Sequence, residues 1–597
     1  MKNVWFSLFI FIFSVSVANA NDFAFSDAWL KLMHYQKKSD KYVGLVESEE
    51  FYLGENGRFN PEIELKANIE AFKKGKFKCE FPARFNLLKK EGLVDGNLSN
   101  CLDYNNFIKD VKPDGITVLF TNAYMSNPAS LFGHTLIRID TKRKGTQMLA
   151  HGSNFGADSG IETGFTFAFK GLFGGYLGVY SVNPYWDIIN TYNNIENRDI
   201  WEYNLNLSDE EKEKFVNHLY EMRKAKIRYY FLSKNCSYMI LELLEAVKPE
   251  LELTDNYDFW VIPLDTLKTI KKIDGLIKSV NYRPARYTKL KKQIDDLNTS
   301  QYKYFLKGIK KHNYNMHLSE QEKAEVLEAQ YQYYQYRYTA NDMDLSEYRK
   351  NSFIVLRERS KLPDIKDKIY NKEDPSLSHD SFQVAIGTGV YDGKNFEQLE
   401  IRPAYTNLAD NTYGLIKGAE ISVLSSKWRY YNENEKFVLE EFSPIKIKSL
   451  VVANRIFNPI SYATNWEIKR EYNPQTMKEG YVAGLNMGVG QTYELWGNFW
   501  LYGLIKIGGQ YGGFIPDNYW IGFIPEVGLY KDLGFVRFHS IIEKIWANRK
   551  FGDRLKYKTI VSWGFNNNLS LELEFNSSHN AKGNNQQEFL GSIRYYM

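Results

Sequence analysis

Three cysteines and nine histidines are all the thiol and imidazole chemistry that 597 residues offer. Cys79 and Cys101 lie close together in loop-rich stretches (KCEFPARFN and LSNCLDYNN), a spacing that suits a disulfide. Closing that loop would stabilise the fold by roughly 3 kcal/mol on the chain-entropy argument. Cys236 is then the odd thiol, and an odd thiol in an exported protein is either buried or used. A thiol becomes a nucleophile when a helix N-terminus or an adjacent imidazole lowers its pKa. YYFLSKNCSY places Cys236 at the start of a helix on which Ile240, Leu243, Leu244 and Val247 recur at helical spacing. Ser233 or Asn235 can cap that helix, and the N–H groups there favour a thiolate and are candidates to hold an oxyanion.

Thiol chemistry also needs a base and a group that orients it. His134 stands at the start of the alternating segment HTLIRID, and TQMLAHGSNF after it carries His151 and Asn154. Either of those two can fix the tautomer of His134, and the sequence leaves both open. A lone histidine on a strand is more often structural, and a free cysteine is more often a buried core residue. Two histidines on neighbouring strands, followed by an Asn-Cys helix start, favour the catalytic reading. Zinc would want three or four ligands at short spacings. CxxC, HxxxH and HExxH are all absent, so no metal and no cofactor is expected. No G-x-S-x-G elbow, P-loop or dinucleotide fingerprint is convincing.

The elements that must position these residues run strands first, nucleophile helix after. ITVLFTNAY, HTLIRID and TQMLAHGSNF read as strands, and GFTFAFKGLFGGYLGVYSVNPYW follows with glycines that allow tight turns. RDIWEYNLNL is a further strand that runs into the capping box Ser208 to Glu211. Pro249 ends the nucleophile helix.

SNPASLFGHTLIRI, GSNFGA, GLFGGYLGVYSVNPY, NRDIWEYNL, YFLSKNCSYMILELLE and VIPLDT together resemble the Lnb N-terminal periplasmic domain family. The likeness runs from about Gly115 to Thr266, and the preceding CEFPAR segment resembles a module that often precedes that domain. More distantly, the order His, second polar residue, Asn-Cys is similar to circularly permuted papain-like enzymes of the NlpC and lecithin:retinol acyltransferase type. The resemblance implies an α+β permuted papain-like domain with Cys236 as nucleophile and His134 as general base. It matches His151 to a second-histidine position and places Asn154 in the NFGA segment. Thiol-dependent acyl transfer or acyl hydrolysis is the implied activity. The named acyltransferase is anchored by membrane helices; this chain lacks them after its leader, which leaves the reaction open.

The rest of the sequence sets compartment and architecture. Met1-Lys2, the apolar run Val4 to Val17 and Ala18-Asn19-Ala20 read as a secretory signal peptide ending at residue 20. The expected organisation is a mostly helical module over 21–112, the thiol domain over 113–270, a lysine-rich helical linker over 271–378, and strands over 379–597. In the last part Leu569, Leu571, Leu573 and Phe575 alternate with Ser570, Glu572 and Glu574. Ile521, Phe523, Val527 and Leu529 alternate with Gly522, Glu526 and Gly528. Alternating strands of about ten residues between polar turns predict an outer-membrane β-barrel; a soluble sandwich would bury the same apolar face. A net charge of +4 with scattered basic residues excludes nucleic acid as a partner. Expected partners are outer-membrane lipids, with lipoproteins or peptidoglycan as substrates. The rival readings are a papain-like peptidase or peptidoglycan hydrolase, and a non-catalytic barrel with a periplasmic binding domain.

Overall fold

Strands buried on both faces must sit inside a sheet with cover on either side, and this is how the helix that opens at Cys236 acquires its support. The computed structural model describes residues 22–122, 132–141, 147–160, 162, 164–257, 259–311, 315–365, 370, 372–473, 478–548, 553–580 and 585–597. The expected signal peptide lies outside these residues, as do residues 126–131 of the segment before His134. The chain divides into two units, 1–371 and 372–597.

In the first unit a hairpin, β1 (Tyr35–Lys38) and β2 (Lys41–Gly44), precedes a seven-stranded sheet. Its strands are β3 (Gly115–Thr121), β4 (His134–Asp140), β5 (His151–Ala157), β6 (Tyr176–Pro184), β7 (Ile200–Leu205), β8 (Lys226–Tyr229) and β9 (Ile277–Arg283). All neighbours are antiparallel, in the order β8-β6-β5-β4-β3-β7-β9. The helix Cys236–Val247 packs on β4 and β5 and is buried along almost its whole length. The helices Asp27–Leu32, Asp209–Met222 and Pro263–Lys272 pack around it. The capping box is present, with Ser208 and Glu211 each satisfying the other's backbone N–H.

Arg84 of the CEFPAR segment joins the N-terminal helices to this core. It is fully buried, with Nε 3.2 Å from the Glu221 carboxylate and its guanidinium over the rings of Phe51 and Phe81. A buried cation of this kind is tolerated because it is paired and stacked. Cys79 and Cys101 are bonded, closing a separation of 22 residues.

Three segments depart from the sequence expectation. The lysine-rich stretch taken as a helical linker from residue 271 begins with β9, an edge strand bonded to β7. Its residues (IKSVNYR) carry no alternation of buried and exposed positions to announce a strand, since the middle four are all exposed, as an edge strand facing water allows. The short strand β8, four residues long, stood unnoticed before the nucleophile helix. The glycine-rich stretch forms the helix Gly164–Leu172 and only then β6. Four helices follow β9: Arg286–Asp295, Thr299–Lys311, Glu320–Thr339 and Leu345–Arg359.

The second unit is a closed antiparallel barrel. Thirteen strands run from Gln383 to Tyr596, and the short Ala404–Thr406 continues the line of Lys394–Arg402 against Ala419–Tyr431, leaving twelve staves. The first stave, Gln383–Tyr391, bonds the last, Asn585–Tyr596, and closes the ring. Its polarity is inverted relative to a soluble barrel. Ile521 is 60% exposed while Glu526 on the same strand is 3% exposed. Ser570, Glu572 and Glu574 are buried inside, and Phe589, Ile593 and Tyr595 face outward. Charged side chains inside are paired: Glu526 bridges Lys448 and Lys506 at 2.6 Å each, and Arg429 meets Glu588 at 2.7 Å. They line a lumen cavity of about 410 Å³. An apolar exterior around a charged interior is the polarity of a barrel that spans a bilayer. No described helix is long and apolar enough to cross a membrane.

Candidate active site

Asn235 fixes the start of the helix that opens at Cys236. Its Oδ1 accepts from the backbone N–H of Ser237 (3.1 Å) and Tyr238 (3.2 Å), while its Nδ2 donates to the carbonyls of Phe231 (3.1 Å) and Val261 (2.7 Å). One side chain thus caps the helix and ties its start to two loops. Both amide protons are committed, so Asn235 is a cap rather than an oxyanion donor. Ser233 sits in the preceding turn, where its N–H bonds the Tyr230 carbonyl, and it does not cap the helix.

Cys236 is 3% exposed and opens that helix. The backbone N–H groups of Thr135, the residue next to His134, and of Ser237, together with the Tyr229 hydroxyl, lie close enough to favour the ionised form of its thiol. The Tyr229 hydroxyl also accepts from the Cys236 N–H at 3.4 Å. His134, 9% exposed, places Nε2 at 2.8 Å from Asn154 Oδ1. With the amide oxygen accepting, Nε2 carries the proton and Nδ1 is left unprotonated.

His151 is placed elsewhere. It pairs with Ile139, five residues along β4 from His134, about 16 Å at a strand's rise per residue. Its charged neighbour is Asp110, and its Nδ1 is buried without a hydrogen-bond partner among the described residues. Of the two orienting candidates, only Asn154 bonds His134.

Tyr192 and Arg198 complete the surroundings, and sequence reasoning did not single them out. The Tyr192 ring stacks on His134 with centroids 5.5 Å apart. Arg198 lies 5.4 Å over the same tyrosine and is held by the carbonyls of Asn122 (2.7 Å) and Thr121 (3.2 Å) and by Glu196 (3.0 Å). Arg198 stands in the NRDIW segment, read only as the start of a strand, and Tyr229 in the run up to Cys236, read only as the approach to its helix.

The electrostatics differ from the thiolate expected at a helix start. Burial pushes the Cys236 thiol above its ordinary value, outweighing the N–H groups, the Tyr229 hydroxyl and Arg198, all of which pull it down. Burial, and then the Arg198 charge, lower His134 to about 3 against the opposing Asn154 hydrogen bond. At rest Cys236 is a neutral thiol and His134 a neutral imidazole. Among the described residues no group of three or more His, Cys, Asp or Glu side chains is arranged to hold a metal ion.

Residues 103–273 match the Lnb N-terminal periplasmic domain family. Residues 21–91, 280–368 and 372–596 match three separate domains of unknown function, DUF7843, DUF7842 and DUF7840. No curated protein matches the chain. Solved structures similar to part of it include a KdgM porin in complex with disordered oligogalacturonate, at 9% identity, covering 36% of this chain and 99% of that one, with a TM-score of 0.22. The Acinetobacter baumannii outer membrane protein Omp33 matches at 11% identity, over 37% of this chain and 99% of that one, with a TM-score of 0.20. The NanC porin matches at 6% identity, over 36% of this chain and 100% of that one, with a TM-score of 0.24. A barrel with its apolar face outward, in one chain with a periplasmic-domain match, marks an outer-membrane protein with a periplasmic domain. The chain thus joins a region similar to the Lnb N-terminal periplasmic domain, over residues 103–273, to a closed twelve-stranded C-terminal β-barrel.

Proposed function

We propose that the first unit is a thiol-dependent acyltransferase or acyl hydrolase of the permuted papain-like kind, acting on an ester of a phospholipid or lipoprotein. The observation that carries the reading is the His134–Asn154 hydrogen bond at 2.8 Å, on a strand against which the Cys236 helix packs. His134 Nδ1 takes the thiol proton as sulfur attacks the ester carbonyl carbon. The carbonyl π electrons move to oxygen and return as the C–O bond breaks, and the alcohol leaves with the proton from His134. The acyl group is then a thioester on Cys236. An acceptor hydroxyl, amine or water attacks it, His134 takes the acceptor's proton, and that proton returns to the sulfur. Neutral partners suit this order: the base removes the proton during attack rather than before it.

Membrane tethering by the barrel favours a lipid or lipoprotein substrate over a peptidoglycan stem, which a papain-like site would also cleave. Incubating the full chain with labelled phospholipid in one arm and muropeptides in the other separates the two. Release of fatty acid or acylated acceptor, lost in Cys236→Ala, is expected. Cleavage of muropeptides alone would overturn the lipid reading in favour of the peptidase.

A further inference from the structure

Arg402 ends one stave of the barrel and Ala419 begins its neighbour, a step that a tight turn could make. At the same end, where the first stave begins and the last one finishes, the connections 533–535 and 565–568 are such turns. The chain after Arg402 instead runs through TNLADNT across the mouth of the bore. Leu408 is buried in one cluster with Tyr502 and Leu504 of the stave Trp500–Tyr511 and Tyr530 of the stave Tyr519–Asp532. Lys394–Arg402 and Tyr519–Asp532 stand six steps apart in the ring of twelve, so the segment reaches the opposite wall. It is bonded there. The Ala409 carbonyl accepts from Arg537 Nε at 3.1 Å, the Thr412 hydroxyl bonds the Asp532 carboxylate, and Asn411 Nδ2 donates to Asn567 Oδ1 at 2.8 Å.

Asp410 fastens the segment in the bore. Its fully buried carboxylate accepts from the Tyr596 hydroxyl at 2.7 Å, the Asn407 N–H at 2.8 Å and the Arg402 guanidinium. Arg594, at 3.7 Å, and His379, at 3.9 Å, stand beside it. Hydrogen bonds to an ionised group are the strong kind, and several converge here. Inward of the segment the bore is polar. A cavity of about 110 Å³ lies against Leu408 and Ala409 and shares Lys446, Lys448 and Lys558 with the larger lumen cavity. Ion pairs between facing staves, Lys448 with Glu526 and Arg554 with Glu471, narrow it further in. Charged walls keep water and pass small ions, whereas an apolar constriction sheds water and stops them. The cluster around Leu408 is such a constriction.

We propose that the barrel is a pore for small ions and that the segment 407–412 is its stopper, held shut by Asp410. This function goes beyond the chemistry at Cys236 and does not depend on it. The test reads single-channel conductance of the full chain in planar bilayers at about 1 M KCl, where screening acts within a few Å and the bore's ion pairs weigh least. Wild type should be almost silent. A variant with glycine and serine in place of 408–411 should give steady openings. Asp410→Asn keeps the shape and removes only the charge. Its openings should be about tenfold or more as frequent as in wild type, as loss of charge-assisted hydrogen bonds implies. Heat-modifiable migration on denaturing gels shows which variants still form a barrel, and Asp410→Asn carries the test if the replacement does not. Steady wild-type conductance equal to that of the variants would overturn the stopper, and so would folded variants as silent as wild type.

Discussion

His134 holds its protonated Nε2 2.8 Å from the side-chain oxygen of Asn154, although 20 residues and a strand connection separate the two. The bond fixes the imidazole's tautomer and leaves Nδ1 unprotonated, which is what the proposed general base requires.

Removing that orienting group should cost activity without unfolding the unit. Asn154→Ala is expected to slow acylation of Cys236 on the order of 10²-fold, within the usual range for general base catalysis. His151→Ala, at a site some five strand positions away along β4, should leave the rate unchanged within about twofold. Rates of adduct formation with the same lipid compare them; a larger loss at His151 would overturn the assignment.

The neutral resting pair predicts a flat acid side to the pH profile. His134 ionises near 3 in the folded state and near 6.5 when unfolded. Its base form is therefore present from about pH 4 upward, and acylation should show no inflection near 6.5. Stability follows the same sign: the neutral buried ring contributes fully above about pH 6.5, and that contribution is lost as the pH falls toward 3, because only the unfolded chain takes the proton readily. Arg198→Met should raise the His134 pKa and bring an acid limb into view, while Arg198→Lys should keep the wild-type profile. A bell centred near neutrality in wild type would contradict this.

Glu202 joins three strands. It takes Arg138 of β4 at 2.7 Å and Arg283 of β9 at 2.9 Å, and accepts the Tyr185 hydroxyl at 3.0 Å. Glu202→Ala leaves the buried Arg138 without its main counter-charge and should destabilise the first unit by about 3–5 kcal/mol. Urea titration of the full chain in vesicles, read by hydrogen exchange in β3 to β9, measures it.

The barrel's inverted polarity makes the opposite prediction from a soluble fold. Ile593→Lys, on the outward face, should destabilise the barrel in vesicles by about 2–4 kcal/mol if it sits near the bilayer midplane. Unchanged folding into vesicles would contradict a lipid-facing Ile593.

Much of this was legible in residue order, for physical reasons. The Asn-Cys helix start was visible because a cap and an amphipathic repeat are local features, and the barrel's alternation because every strand repeats it. Which face of each strand meets lipid was not, since Leu569–Phe575 alternates identically whether its leucines point in or out. The choice between Asn154 and His151 was also closed to the sequence, because it depends on the register of β5 against β4. Arg198 and Tyr192 have no periodicity to announce them; only the fold brings them to His134. The thiol's protonation was misjudged for a related reason: a helix start favours a thiolate, but the depth of burial that opposes it is a tertiary property.

The central claim is that Cys236 carries the acyl group, and intact-mass spectrometry of the full chain incubated with phospholipid tests it most directly. A wild-type species heavier by one acyl chain, sensitive to hydroxylamine as a thioester is and absent from Cys236→Ala, is the predicted result. An unmodified wild-type mass under turnover, or product formed equally well by Cys236→Ala, would contradict it.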